Sequence, residues 1–163
     1  MHSPVNLRSS ARNQAGVTLL EVMISVLIMA VGMLGIAAMQ TTSLRNTQSS
    51  MERSQAVIQS YSIIDAMRVN RVQARAGRYN TSGMACAVPE DDGSQSAADR
   101  HAWMTSLKNS MGNGAAGDTT TCGDINCTAA GVCTVIVQWD DQRGRDISGS
   151  ASETQQVRTV VLL

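Results

Sequence analysis

Hydrophobic residues are laid along this chain in distinct patterns, and the longest comes first. From Val17 to Met39, 23 residues run with few polar side chains. As a helix that is about 35 Å, against a hydrocarbon core of about 30 Å, so a membrane-spanning helix is expected. Beyond Met39 the composition turns polar, but Gly and Pro are absent as far as Val72. Leu44, Met51 and Ile58 recur every seven residues, joined by Val57, Tyr61, Ile64 and Met67, which predicts one apolar stripe. One helix is expected from about Thr18 to Ala76, with Gly77 as its C-terminal cap.

The rest reads as a small head. Arg78 to Ser96 carries the turn runs Asn80-Thr81-Ser82-Gly83 and Pro89-Glu90-Asp91-Asp92-Gly93-Ser94 and is expected as loop. Ser96 is placed as the cap of a helix from about Ala97 to Met111, with Trp103, Leu107 and Met111 on one edge and Gly112 stopping it. A Gly/Thr-rich loop is expected up to Gly131. Val132 to Trp139 alternates as a strand, with Cys133, Val135, Val137 and Trp139 on one face. Asp140 to Glu153 is too polar for core, and Gln156 to Leu163 reads as a last strand antiparallel to the first. The fold class is α+β: a long N-terminal helix, membrane-spanning in its first half, packed on a small antiparallel sheet head. Segment boundaries follow: 1–16 leader, 17–39 transmembrane segment, 40–77 amphipathic second half of the helix, 78–163 head.

Composition sharpens this picture. Aromatic residues are limited to Trp103, Trp139, Tyr61 and Tyr79, with no Phe. A head so poor in large side chains buries little area per residue and calls for covalent help. Cys86, Cys122, Cys127 and Cys133 can supply it. In an exported head an even count reads as two disulfides, and three connectivities are open. We favour Cys127–Cys133, closing a short turn before the strand, and Cys86–Cys122, tying the loop after the long helix to the head.

The start of the apolar run carries the most specific chemistry. Glu21 places a carboxylate inside a membrane-length segment, where an ionised acid costs up to about 2.5–3.5 kcal/mol at the bilayer centre. Arg8 and Arg12 precede it in a short basic leader, and Ala15-Gly16 stands before the apolar run, whereas a secretory signal is cut after its own. Gly16, Val17, Thr18, Leu19, Leu20 and Glu21 together resemble the prepilin leader of type IV pilins and their relatives. Val17 departs from the Phe usual in major pilins. Within that superfamily, Leu20 to Leu27, Gly32 to Ala37 and Gln40-Thr41 are similar to the PilV group of minor pilins, as are the Trp103/Leu107/Met111/Gly112 helix and the strand ending in Val135 to Trp139.

The resemblance implies cleavage between Gly16 and Val17 by a prepilin peptidase, N-methylation of Val17, and docking through Glu21, with Thr18 beside it. It implies a structural protein: a minor pilin incorporated near the pilus tip that primes assembly with other minor pilins and the major pilin. The chain would sit in the inner membrane with its leader cytoplasmic and its head periplasmic, then reach the cell surface. Many major pilins carry a proline in the helix where this chain has Ala38 and none. A type II secretion pseudopilin is the alternative within the superfamily, disfavoured by the four cysteines, since such heads typically lack a disulfide framework. A membrane-anchored enzyme is the alternative outside it. His2 and His101 are the only histidines, and no nucleophile pattern accompanies them.

Other motifs weigh less. Removal of Arg8 and Arg12 takes 13 basic residues to 11 against 13 acidic ones, which offers no basic field, and no nucleic acid partner is expected. Arg68, Arg71, Arg75 and Arg78 share a helical face open to an acidic partner or DNA, but cations at a helix C-terminus are favoured by its dipole, which is the preferred reading. Gly112 to Gly117 satisfies GxGxxG without the strand that a dinucleotide site needs before it. Glu90-Asp91-Asp92-Gly93 and Asp140-Asp141-Gln142-Arg143-Gly144 lack the full EF-loop spacing and read as solvated turns. The cysteines lack a CxxC pair for zinc. No metal and no cofactor is expected.

Overall fold

A computed structural model of the chain describes residues 16–112, 117–141 and 154–163. The leader residues Arg8 and Arg12, the interior of the GxGxxG run and most of the loop after Asp140 lie outside the described residues. The chain divides into two compact units, one ending at Thr41 and the other running from Thr42 to Leu163.

One helix, α1 (Leu19–Val69), runs through both units. In the first unit every described residue is exposed. An 18-residue window with mean hydropathy 2.5 has none of its residues buried, and α1 is long and apolar enough to cross a membrane.

The second unit is an α+β head with a pilin-like arrangement. It contains the later turns of α1, then α2 (Arg71–Arg75), α3 (Gln95–Ser110), β1 (Cys122–Cys127), β2 (Val132–Asp140) and β3 (Thr154–Leu162). The strands form one antiparallel sheet in the order β1-β2-β3. Ile125 pairs with Val135 and Val135 with Thr159. The alternation expected of β2 holds: Cys133, Val135, Val137 and Trp139 are buried, facing Ile63, Ile64 and Met67 of α1 and Trp103 and Leu107 of α3 in one core.

Four expectations are corrected. The long helix does not run unbroken to Ala76: it ends at Val69, Asn70 leaves helical geometry at φ −114°, and α2 follows before Gly77 turns at φ +74°. The Asn70 amide donates to the Tyr79 hydroxyl at 3.3 Å, so the interruption is held by a tertiary bond. The cap of α3 is Ser94, not Ser96, with its hydroxyl accepting from the Ala97 amide at 3.2 Å. The segment taken as loop up to Gly131 contains β1, whose outer edge is covered by residues 80–85. Asn80 bonds the Cys127 backbone at 2.7 and 3.1 Å, and Ala85 bridges Gly123.

The fourth correction concerns the stripe. Leu44, Met51 and Ile58 are 69%, 62% and 57% exposed, whereas Glu52, Ala56, Gln59 and Ser60 are buried. Close approach of α3 decides this. The Trp103 indole donates to the Gln59 carbonyl at 3.0 Å and the Gln59 amide donates to Ser106 at 2.8 Å, while Ala56 and Ser60 are small enough to let a helix come near. Only Ile64 and Met67 of the expected stripe are buried.

Two disulfides pin the head, Cys86–Cys122 and Cys127–Cys133, the connectivity favoured above. The second joins residues directly opposite each other on β1 and β2. Arg75 donates to the carbonyls of Ala129 and Ala130 in the intervening turn, and the Leu163 amide donates to Gly131 at 2.8 Å. Lys108, 2% exposed, donates from its ammonium to the carbonyls of Asp118 and Thr121. Burial acts to raise the Asp118 carboxyl, but hydrogen bonds from Thr121 and Thr120 and the Lys108 charge outweigh it and hold that group down to about 2.

Candidate functional site

Thr18 stands immediately before helix α1. Its carbonyl accepts from the amides of Glu21 at 3.1 Å and Val22 at 3.3 Å, and its hydroxyl accepts from the Glu21 amide at 3.3 Å. Thr18 and Glu21 thus stand in the spacing of a capping box, with the acid in the first turn where the positive end of the helix favours it by about 0.3–1 kcal/mol. The Thr-x-x-Glu spacing is itself present in the sequence at Thr18-Leu19-Leu20-Glu21. Glu21 therefore has a local role in starting the helix, besides being an acid in a membrane-length segment.

Gly16 lies three residues before Leu19, the first residue of α1. A Cβ added there would meet nothing within 4 Å, so the described fold gives no reason for a glycine. Gly32 and Gly35 are alike in this respect. Inside a helix each costs about 1 kcal/mol relative to Ala, and neither close packing nor a turn within the described residues offsets it.

The remaining candidates separate in space or find local roles. Arg68 pairs with Asp65 at 2.8 Å, Arg75 holds the β1–β2 turn, and Arg78 stands beside a cleft, so these three arginines have separate local roles. The ring Nδ1 of His101 lies 2.8 Å from the Pro89 carbonyl oxygen. Asp91 and Asp92 accept from the amides of Gly93 and Ser94, as in solvated turns. Gly112 follows a helix, and a Cβ there would clash with the Lys108 carbonyl and the Thr121 hydroxyl at 2.8 and 2.9 Å, so this glycine serves packing. No group of His, Cys, Asp or Glu suited to a metal occurs among the described residues.

Residues 11–37 match the family model described as the prokaryotic N-terminal methylation motif. That span includes Gly16, Val17, Thr18, Glu21, Gly32 and Gly35. No curated protein and no solved structure matches the chain. With this motif spanning the start of a long helix that leads into a head with a three-stranded antiparallel sheet, the chain is type IV pilin- or pseudopilin-like. The motif implies processing by a prepilin peptidase, and with the apolar helix it implies membrane anchoring before assembly.

Proposed function

We propose that this protein is a minor pilin of the type IV pilus, of the PilV group, that takes a defined place near the fibre tip and primes assembly with other minor pilins and the major pilin. The observation that carries the reading is the motif at residues 11–37 on a helix whose membrane-length apolar window has no buried residue. Burying such a side chain is worth about 1.5–3 kcal/mol, so lipid must surround this helix first and neighbouring helices afterwards. Further support comes from Gly32 and Gly35, which permit close helix approach, and from the exposed Leu44, Met51 and Ile58, which offer a second apolar strip to neighbours.

In this reading the peptidase cuts between Gly16 and Val17, and the new amine on Val17 is methylated. The glycine at the cut answers the peptidase and not the fold. The Val17 amine then stands next to the positive end of α1, an unfavourable neighbour that Glu21 of the same chain offsets in part. In the fibre the Glu21 carboxylate pairs with the amine of the subunit ahead, and Thr18 sets the start of the helix that presents it. Desolvation of the acid is thereby compensated only on assembly.

Intact-mass analysis of sheared surface fibres tests the reading. A chain beginning at Val17 with one added methyl group is expected there, and a deletion strain should lose piliation. A chain retaining Met1 would refute processing. Normal piliation with lost protein secretion in the deletion strain would assign the chain to a type II pseudopilin instead.

A further inference from the structure

A cleft of about 540 Å³ opens in the head between α2 and the start of α3, within the size range of small-molecule sites. Arg78 and Arg100 stand on its walls. Among the described residues neither makes an ion pair. Arg100 uses its Nε on the Ser96 carbonyl at 3.3 Å, and its two Nη groups have no hydrogen bond there. Asp99, beside Arg100 in sequence but not on the cleft wall, accepts from the Tyr79 hydroxyl at 2.5 Å and from the Gln95 amide at 2.7 Å. Two guanidiniums without an ion pair among the described residues thus line one cavity.

The start of α3 adds to the positive field. Ser94, Gln95 and Ser96 line the cleft, the helix is 16 residues long, and its first turn carries no acid. Among the described residues Asp92 is the one carboxylate on the wall. Hydrogen bonds from Ser94, and after them the fields of Arg100 and Arg78, hold its carboxyl below the ordinary value. Two guanidiniums against one carboxylate leave a net charge of +1, which suits a monoanion better than a phosphate dianion. The rest of the wall is carboxamide and hydroxyl, with Asn70 and Gln73 across from the serines and no aromatic or large aliphatic side chain among the lining residues. Its occupant must be hydrophilic on every side.

We propose that this cleft binds a carboxylate-bearing saccharide of the uronic acid class, its carboxylate held by Arg78 and Arg100 and its hydroxyls by the carboxamides and serines. Guanidinium is the group suited to this task, because its planar donors meet a carboxylate in pairs. The inference is independent of the pilus reading, since it rests on the head alone.

Calorimetric titration of the full-length, disulfide-intact protein in a polyoxyethylene detergent, which carries no sugar, tests it with D-glucuronate, D-glucose, acetate and inorganic phosphate as probes. Glucuronate should bind more tightly than each of the others by roughly tenfold, because each of those probes lacks the carboxylate, the hydroxyls or the matching charge. Arg78→Gln and Arg100→Gln should each weaken glucuronate by about tenfold. Asp92→Asn, which keeps the oxygen that accepts from Ser94, should tighten it, and Arg71→Gln, outside the cleft, should leave it unchanged. Should Arg100→Gln fail to fold, the exposed Arg78 and Asp92 give the same contrast. Equal binding of glucose, acetate or phosphate, wild-type affinity in Arg78→Gln, weaker binding in Asp92→Asn, or no heat of glucuronate binding would overturn the proposal.

Discussion

Substitution of Glu21 separates the two roles that one carboxylate can have in this helix. Glu21 lies four residues after Val17, roughly 6 Å along a helix whose apolar part is about 35 Å long, so it sits well short of the bilayer centre. The insertion penalty it imposes is therefore below the roughly 2.5–3.5 kcal/mol of a central acid, and Glu21→Ala should insert as well as the wild type or better. The helix start should lose only about 0.3–1 kcal/mol of charge–dipole interaction, since the Thr18 hydroxyl accepts from a backbone amide that Ala retains. Assembly is different. Leaving a desolvated charge without its partner costs about 3–5 kcal/mol, which is roughly a hundredfold or more in incorporation. Thr18→Ala provides the contrast, since it removes the cap at a cost of about 0.5–2 kcal/mol and spares the acid. Membrane level by quantitative immunoblot and fibre incorporation by mass spectrometry are measured together in a strain lacking the native copy. Unchanged incorporation of Glu21→Ala would refute the docking role, as would an equal loss for Thr18→Ala.

Other expectations concern the head. Gly123→Ala would place a methyl group 2.8 Å or less from ring carbons of the buried Trp103, whose indole is fixed by the Gln59 carbonyl, so thermal unfolding should show a loss of about 1–3 kcal/mol. A Trp103→Phe partner substitution should recover part of that loss, and strict additivity would speak against the contact. The Cys86–Cys122 bridge spans 36 residues and Cys127–Cys133 spans 6, so replacing the first pair by Ala should cost about 4 kcal/mol and the second about 2 kcal/mol on the chain-entropy account. Denaturant titration giving the reverse order would refute that account here. Asp118 has its carboxyl depressed in the folded head to about 2, so its contribution is present above its ordinary unfolded value near 4 and is lost as pH falls toward 2. Asp118→Asn should flatten the acid limb of the stability curve in that window by about 1–2 kcal/mol, allowing for screening; an unchanged limb would count against the Lys108 and Asp118 arrangement.

The parts of this fold legible in the sequence are those whose pattern is local. The apolar run of α1 and the alternation of β2 needed no partner to be recognised, and Val135 and Val137 are buried as their spacing requires. What escaped depends on contacts distant in sequence. β1 reads Cys-Gly-Asp-Ile-Asn-Cys, residues of low strand preference apart from Ile125. It is a strand because β2 pairs with it, a disulfide crosses the pair and Asn80 completes its outer edge. The buried face of α1 was missed because Gln59 and Ser60 are polar, and only the arrival of α3 gives Gln59 its partners. Asn70 carries no strong stop signal, and the break in the helix there is coupled to Tyr79, nine residues on. At the N-terminal site the residues are legible as a motif, while the hydrogen bond from the Glu21 amide to the Thr18 hydroxyl depends on the turn that the backbone makes there.

The same distinction bears on function, because it separates residues explained by their own chain from residues that are not. In the head, the exceptions to simple patterning find internal causes: Lys108 has its carbonyl acceptors, Gln59 its hydrogen bonds and Gly123 its indole. Around the motif the causes are missing. Gly16, Gly32 and Gly35 have open space where a methyl group would go, and apolar side chains from Val17 to Met39 are exposed. Leu44, Met51 and Ile58 add to the list by lying on the face of α1 that the head does not cover. Selection for folding alone would replace the two helical glycines with better helix formers and the exposed apolar residues with polar ones. Residues that burden the isolated chain are accounted for in part by lipid and a prepilin peptidase, which the processing motif and the membrane-length helix imply.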